Sequence, residues 1–406
     1  MTQNSNAATP ANTAASFPVL VLNSGSSSIK FSGYEAATKL FEGAVDGIGT
    51  DLGTFWIKNN SATLVDQKLS LPNRSVAFNL VAEAIHSSRF SAPAAIGHRI
   101  VCGGPNVSDN QRITPALIDE IERYSALAPL HTPIAVHIMR EALKLFHGTP
   151  NFAVLDTWFH HTIPTVAGVM PIPDEYAAMG VRRYGYHGIS CESAIRHLAP
   201  DVPPKLIVAH LGNGASITAI RDSKSIDTSM GLTPTGGLIS GTRTGDIDPG
   251  VLIFILRKIA ETTPDATEAA AKLETILNKK SGLLGLSELS PDMRELRAAI
   301  RAGNPRARLA VDKFTWTIAR WIGSYVAELG GLDMLVFTGG IGENDMDARA
   351  EICAGLRALG IILDPERNKA RCAAVISAAH SPVTVRVIPA AEDQVIVDHV
   401  VRLMGT

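Results

Sequence analysis

This 406-residue chain lacks an excess of charge of either sign: 37 Lys and Arg face 39 Asp and Glu, a formal charge of −2. That balance argues against nucleic acid or an anionic membrane as the main partner. Long apolar runs are also missing. No uninterrupted stretch reaches the roughly 18 residues expected of a membrane-spanning helix, so a soluble chain is expected. Cysteine is sparse: Cys102, Cys191, Cys353 and Cys372 are widely scattered. They match neither a CxxC zinc pattern nor a dense disulfide framework and read as free thiols of a reducing, cytoplasmic compartment. The opening MTQNSNAATPANTAAS holds no Lys or Arg and no apolar core, so it is neither a secretory signal nor a transit peptide. Residues 1–17 read as a disordered tail.

What the chain does have is 46% hydrophobic residues and 34 glycines. At roughly 100–200 residues per domain, its length favours two or three domains. Order begins at FPVLVL, an apolar run of strand length, followed by the turn-forming NSGSSS and the strand-like IKFSGYE. Near residue 206 the pattern returns as LIVAH, LGNGAS and ITAIRD. One strand-turn-strand device used twice, half a chain apart, suggests two related halves.

Helices lie between and after these devices. TPALIDEIERY offers Thr114 as a cap and Pro115 at the first helical position, with Leu117, Ile118, Ile121 and Tyr124 on one face. From Asn304-Pro305 the spacing of Val311, Phe314, Ile318, Trp321 and Tyr325 predicts a long core helix stopped by Gly330-Gly331. The strand LDMLVF, the turn TGGIGEN and a helix DMDARAEICAGLRALG ending at Gly360 follow. A last strand, VTVRVIPA, runs into Glu392 and Asp393. Strands alternating with helices indicate an α/β architecture.

Gly- and Ser-rich turns after buried strands free backbone N–H groups to face an anion, and phosphate is the natural guest. Three such turns occur, Asn23–Ser28, Leu211–Ser216 and Thr338–Asn344. An ordinary hairpin turn is the alternative for any one of them. None matches GxxxxGK[ST], and TGGIGEN lacks the third glycine of a dinucleotide fingerprint, which disfavours Walker-type and Rossmann enzymes. Arg99, in GHRIVCGG, and Arg243, in SGTRTGDIDPG, read as loop arginines whose planar forks suit a carboxylate or phosphoryl group. His187 sits on a turn between an aromatic and a glycine, and a backbone-bonded structural histidine is its alternative. Asp156 closes a short apolar run, where α/β enzymes gather catalytic groups; a helix or turn cap is the plainer reading. His160 and His161 are adjacent and cannot point the same way, which argues against a paired metal site.

Taken in order, NSGSSSIKF, GHRIVCGG, LAPLHTP, LDTWFHHTIP, RRYGYHGIS, HLGNGASITAI, DTSMGLTPTGGLISGTRTGDIDPG, SGLLGLS, FTGGIGEN and IPAAEDQ resemble the signature segments of the acetate kinase family. The resemblance spans about Val19 to Asp398. It implies two ribonuclease-H-like (actin-like ATPase) domains, α/β with mixed sheets flanked by helices and an ATP cleft between them. Residues 18–160 with 394–406 would form the first domain, and 161–393 the second, carrying nucleotide-binding and dimer elements.

The same resemblance implies Arg99, Asp156, His187 and Arg243 as catalytic residues. Arg99 and Arg243 would hold the substrate carboxylate and the transferring phosphoryl group, and His187 would donate to that group in the transition state. ATP would lie along Asn23, Ser26, Lys30, His210, Leu211, Gly212, Asn213 and Gly214, and along Gly339, Gly340, Ile341, Gly342 and Asn344 by the adenosine. Val101, Leu130, Tyr186 and Pro234 would surround the acyl methyl, and Asn23 and Glu392 would serve Mg²⁺. ATP and acetate would be substrates, in a homodimer. Three positions depart from the family: Cys102 stands where His is common, Thr132 where Asn is, and Tyr186 where Phe is. The last puts a hydroxyl beside the acyl pocket. A propionate kinase would share nearly every motif. A nucleotide-gated switch of the Hsp70 or actin kind would share the loops but give the arginines, histidine and aspartate no task.

Overall fold

The computed structural model describes residues 17–87, 90–370 and 374–405. Cys372 and the stretch read as a tail, up to residue 16, lie outside the described residues. Two mixed sheets organise the chain. The first holds β1 (Pro18–Ser24), β2 (Ser28–Glu35), β3 (Thr38–Asp46), β4 (Thr50–Lys58), β5 (Thr63–Leu71), β6 (Ala95–Ile100), β7 (Gln111–Arg112) and β8 (Asn151–Leu155), in the order β5-β4-β3-β2-β1-β6-β8-β7. The second holds β9 (Lys205–Leu211), β10 (Ala215–Arg221), β11 (Lys224–Thr228), β12 (Met334–Thr338), β13 (Ala374–Val375) and β14 (Thr384–Val387), in the order β11-β10-β9-β12-β14-β13.

The second sheet repeats the first without β4 and β5. Each opens with an antiparallel three-strand meander, continues through two parallel strands and closes on a short antiparallel edge strand. The two strand-turn-strand devices are therefore equivalent. Their turns shrink to Gly25–Ser27 and Gly212–Gly214, closed by Gly25 N–H on Ser28 O (2.8 Å) and Gly212 N–H on Gly214 O (3.0 Å).

Capping residues fix the helices as the sequence suggests. Thr114 accepts from the Leu117 N–H at the head of Pro115–Arg123, and Asn304 accepts from Arg306 and Ala307 N–H at the head of Pro305–Leu329. The longer helix ends at Gly330 with φ 66° and buries Val311, Phe314, Ile318 and Tyr325 against the second sheet, with Trp321 half-buried. The helix Glu392–Met404 returns to the first sheet, packing on β1, β6 and β8. Its Ile396 and Val400 fill the space over Gly97, where a Cβ would lie 2.6 and 2.9 Å from them.

Three expectations need correction. TGGIGEN is not an open turn: Gly339–Asn344 is a short helix, entered through Gly339 at φ 78°. Arg99 is not on a loop but on β6, which continues to Ile100 and is buried at every residue but Arg99. The helix expected to run to Gly360 spans only Met346–Ala354. Gly355 ends it, and a single 3₁₀ turn, Arg357–Leu359, reaches Gly360 at φ 80°.

Candidate active site

Strand ends from both sheets meet at one place. β6 delivers Arg99, β8 runs into Asp156, and β9 ends in His210 and Leu211. Asp156 is 1% exposed, and one of its oxygens does two jobs: Oδ2 accepts from Arg99 Nη2 (2.7 Å) and from the His187 N–H (3.1 Å). This is more than a local cap, since it ties β6, β8 and the helix Gly188–Leu198 together. Its other oxygen, Oδ1, is buried with no hydrogen-bond partner among the described residues, as is Arg99 Nε. Glu392, in the first turn of the last helix, brings its carboxylate to 3.9 Å from Arg99 Nε. Burial works against the Arg99 charge, but Asp156 and Glu392 outweigh it and hold its pKa above the ordinary value. Burial raises the Glu392 pKa, with Arg99 opposing and Asp156 and Asp393 adding to the rise.

His187 adopts φ 59° just before its helix begins. A Cβ at the next residue, Gly188, would lie 2.4 Å from the Asp156 carbonyl oxygen, so only glycine allows this approach. Nδ1 of His187 lies 2.9 Å from Ser216 Oγ, and its ring stacks on His210. Burial, then His210, Arg99 and Arg243, push its pKa well below the usual histidine value, so the ring is neutral. In the tautomer where Ser216 donates to Nδ1, the ring proton sits on Nε2. That atom and Arg243 Nη1 converge over Gly214: a Cβ there would lie 3.2 Å from the first and 3.5 Å from the second.

Arg243 has neutral partners. Nη1 donates to Pro234 O (3.3 Å) and Nη2 to His131 Nε2 (3.1 Å). Its loop is held by backbone bonds to neighbours on both sides. Gly241 N–H reaches Asn213 O (3.0 Å), while Ser281 N–H and Leu283 N–H reach Thr242 O and Ser240 O. Gly282, at φ 63°, has its Cβ position 2.2 Å from Ser240 O. The SGLLGLS segment, given no task by its sequence, is thus the brace of the Arg243 loop.

A cavity of about 1260 Å³ opens beside Gly212, Asn213, Gly340, Ile341 and Asn344. Gly339 and Gly342 are buried, and His210, Leu211 and Gly214 belong to the strand ends and turn beside it. Sequence reasoning missed Asp292, Met293, Arg294 and Arg297, which also line this cavity. It missed two braces as well. Glu343 Oε1 accepts from Gly339 N–H and Ala390 N–H (both 3.0 Å). Buried Arg349 donates to the carbonyls of Gly342 and Glu343 and to Asn368. For Glu343 the available signal was a charged residue in the Gly-rich TGGIGEN; the charged stretches PDMRELR and DMDARAE carry no such contrast.

Asn23 and Lys30 face a separate cavity of about 240 Å³ with Ser32, Trp56 and Asp393. Ser26 is exposed, its carbonyl taken by Arg74. The four acyl-pocket residues divide. Leu130 and Pro234 line a small cavity with Arg243 and His131. Val101 and Tyr186 pack in an apolar cluster with Cys102, Ala128, Tyr184 and Met230. Tyr186 does not offer its hydroxyl to an acyl group, because that hydroxyl donates to Leu232 O at 2.6 Å. Thr132 is buried with its hydroxyl unpaired among the described residues. The adjacent histidines do diverge: His160 bonds Ser225 Oγ and Tyr186 O, while His161 bonds Trp158 O.

The sequence profile of the Acetokinase family matches residues 18–398. The chain is 41% identical over 398 residues to an acetate kinase from Geobacillus, covering 95% of this chain and 98% of that one. Among solved structures it is similar to Porphyromonas gingivalis acetate kinase, with 36% identity, a TM-score of 0.84, and 96% and 100% of the two chains covered. It is also similar to a propionate kinase from Francisella tularensis, with 35% identity, a TM-score of 0.87, and 95% and 100% covered.

Proposed function

The chain belongs to the acetokinase family, and on that premise we propose that it transfers the γ-phosphoryl group of ATP to acetate, reversibly giving acetyl phosphate and ADP. Its two helix-flanked mixed sheets are the actin-like ATPase fold. We read residues 18–160 with 394–406, and 161–393, as its two halves. The observation that carries the functional reading is the convergence of His187 Nε2 and Arg243 Nη1 over the Gly214 turn, beside the Arg99–Asp156 pair.

The chemistry suits that arrangement. A simple carboxylate is ionised at neutral pH, so the nucleophile needs no general base. It needs alignment, and its charge repels the phosphoryl group it attacks. Arg99, locked by Asp156, holds the acetate carboxylate. Arg243 and the neutral His187 donate to the phosphoryl oxygens as charge spreads in transit. Leu130 and Pro234 form the apolar end of the site beside Arg243, with Val101 and Tyr186 packed in the buried cluster behind it. From the first half, Asn23 joins the phosphate path, its Oδ1 accepting from Arg99 Nη1 at 3.4 Å, with exposed Ser26 and Lys30 at its outer end.

The unpaired Asp156 Oδ1, together with Glu392 and Asn23, fits an oxygen-liganded Mg²⁺. Among the described residues no cluster of three or more His, Cys, Asp or Glu could hold a metal, so the ion would share its ligands with the nucleotide phosphates. When bound, it neutralises phosphate charge.

The helix Pro249–Ala260 buries no residue, and Ile253 and Phe254 are 50% and 63% exposed. We assign this face to a homodimer contact, which sedimentation of Phe254→Glu against wild type tests. No helix among the described residues is long and apolar enough to cross a membrane; dependence on ATP and three buried free thiols fit a cytoplasmic enzyme. The deciding experiment is a hydroxamate assay of acetate, propionate and butyrate with ATP and Mg²⁺. Acetate should be preferred. Preference for propionate would replace the substrate, and no acyl-dependent ADP release would leave only a nucleotide-gated switch.

A further inference from the structure

Three chain segments deliver Asp156, His187 and Glu392 to the site, and one buried side chain outside it touches the support of all three. His399 lies two turns along the helix that opens with Glu392 and is 1% exposed. Its Nε2 is 2.8 Å from Glu192 Oε2, one turn into the helix that follows His187. Its Nδ1 is 3.1 Å from Asn110 Nδ2 and 2.6 Å from Arg402 Nη2. Asn110 in turn accepts from the N–H of Leu155 (2.8 Å), the residue before Asp156.

The proton positions follow from the partners. Asn110 must present Oδ1 to the Leu155 N–H, so Nδ2, a donor, is what faces His399. Arg402 can only donate. Nδ1 therefore carries the lone pair and accepts both, which puts the ring proton on Nε2, where it is donated to Glu192. The edge of Trp158, at a centroid distance of 5.0 Å and 75°, closes off one side of the ring. A buried polar network of this kind contributes orientation rather than bulk stability, since an apolar side chain of similar volume would fill the space.

Resting on the acetate kinase reading above, we propose that His399 is a positioning residue. As the Nε2–H tautomer it fixes the strand end carrying Asp156, through Asn110, and the helix following His187, through Glu192, in register with the helix that presents Glu392. It touches neither substrate nor nucleotide.

Three variants and one spectrum test this. His399→Leu fills the space but makes neither bond; its kcat for acetate phosphorylation should fall by about 10–100-fold, the usual cost of losing an outer support of a reacting group. The KM for ATP should stay within a factor of about two, since the nucleotide cavity is untouched. His399→Asn keeps an acceptor for Asn110 and should recover most of the loss, whereas His399→Gln keeps only the arm to Glu192 and should recover less. A folded His399→Leu with wild-type kcat, equal losses in Leu and Asn, or a loss confined to the KM for ATP would overturn the proposal. Should His399→Leu not fold, the wild-type protein still decides: its ¹⁵N-histidine spectrum at mildly alkaline pH should show His399 protonated at Nε2, and a proton on Nδ1 would refute the arrangement. Wild-type enzyme inert towards acetate but with this tautomer intact would count against the substrate assignment and not against the positioning network.

Discussion

The rings of His187 and His210 lie stacked, with centroids 4.2 Å apart and planes 26° from parallel. Two imidazolium ions at that spacing would repel strongly, so at least one ring must be neutral, and burial lowers the pKa of both. The requirement extends beyond the pair: burial above all holds His98, His131, His160 and His210 down to about 4.

Acid stability tests that directly. Unfolded, these side chains titrate near about 6.5, so between that value and about 4 the unfolded chain binds more protons than the folded one. Stability is complete above the upper limit and is lost as pH falls through the window, by up to about 1.4 kcal/mol per pH unit for each histidine. Urea denaturation at a series of pH values across the window checks this. A midpoint that does not move would mean that these rings take up protons as readily in the folded protein as in the unfolded chain.

Arg99 and Arg243 differ in their partners, and their variants should differ too. Either Ala substitution should lower kcat by about 10²–10³, the scale of losing one preorganised charge-stabilising donor. Arg99→Ala also leaves Asp156 buried without its cation, so it should lower Tm, whereas Arg243→Ala removes only bonds to neutral partners and should leave Tm nearly unchanged. Lys at either position should rescue only partly, lacking the bidentate fork. Steady-state kinetics with thermal melts separate these outcomes, and undiminished turnover in a folded Ala variant would remove that arginine from the mechanism.

His187→Ala should reduce kcat more than it raises the KM for ATP, because its contact strengthens as charge develops in transfer. Ser216→Ala adds a sharper probe. With no donor at Nδ1, His187 is free to move its proton there and lose Nε2 as a donor, so kcat should fall while nucleotide affinity holds. A change in the KM for ATP alone, in both variants, would show that the ring serves binding.

In the acyl pocket, Val101→Ala should shift preference towards propionate, since one methylene is worth about 1–3 kcal/mol in an apolar site. Competition between the two acids reads the shift, and an unchanged ratio would place Val101 outside the pocket. Tyr186→Phe should leave the ratio alone but cost about 1 kcal/mol of stability, because it frees the Leu232 carbonyl.

Much of this was legible in the chain. Both strand-turn-strand devices, the cap residues Thr114 and Asn304, and Asp156 at a strand end all follow from local rules of burial, capping and turn chemistry. What escaped depended on distant partners. TGGIGEN reads as a turn because seven residues with three glycines have poor helix propensity; Glu343 and Arg349 supply the bonds that make Gly339–Asn344 a helix, one from within the segment and one from beyond it. β5 is largely exposed and gives weak alternation, and the alternating burial of β4 from Gly53 to Ile57 is hidden in sequence by the continuous apolar run Phe55-Trp56-Ile57. The placing of Arg99 on a loop failed because GHRIVCGG reads as punctuation, although Gly97 and His98 pair with both β1 and β8, and Arg99 and Ile100 with β8. The acceptor of the Tyr186 hydroxyl, Leu232, lies on another loop and is not legible from local sequence.

The docking of the Glu392–Met404 helix onto β1, β6 and β8 bears on the order in which the protein can be made. Ser32 on β2 bonds Asp393 across 361 positions of sequence, and Val19, Val21 and Ala95 are covered by Val395, Ile396 and Val400 of that helix. A chain emerging from the ribosome therefore carries its first sheet, complete at Leu155, without this helix until Glu392 and the residues after it emerge. Glu392 and His399 arrive with the segment that covers it, so phosphoryl-transfer competence should be acquired in one late step, and a chain terminated before Glu392 should be aggregation-prone as well as inactive.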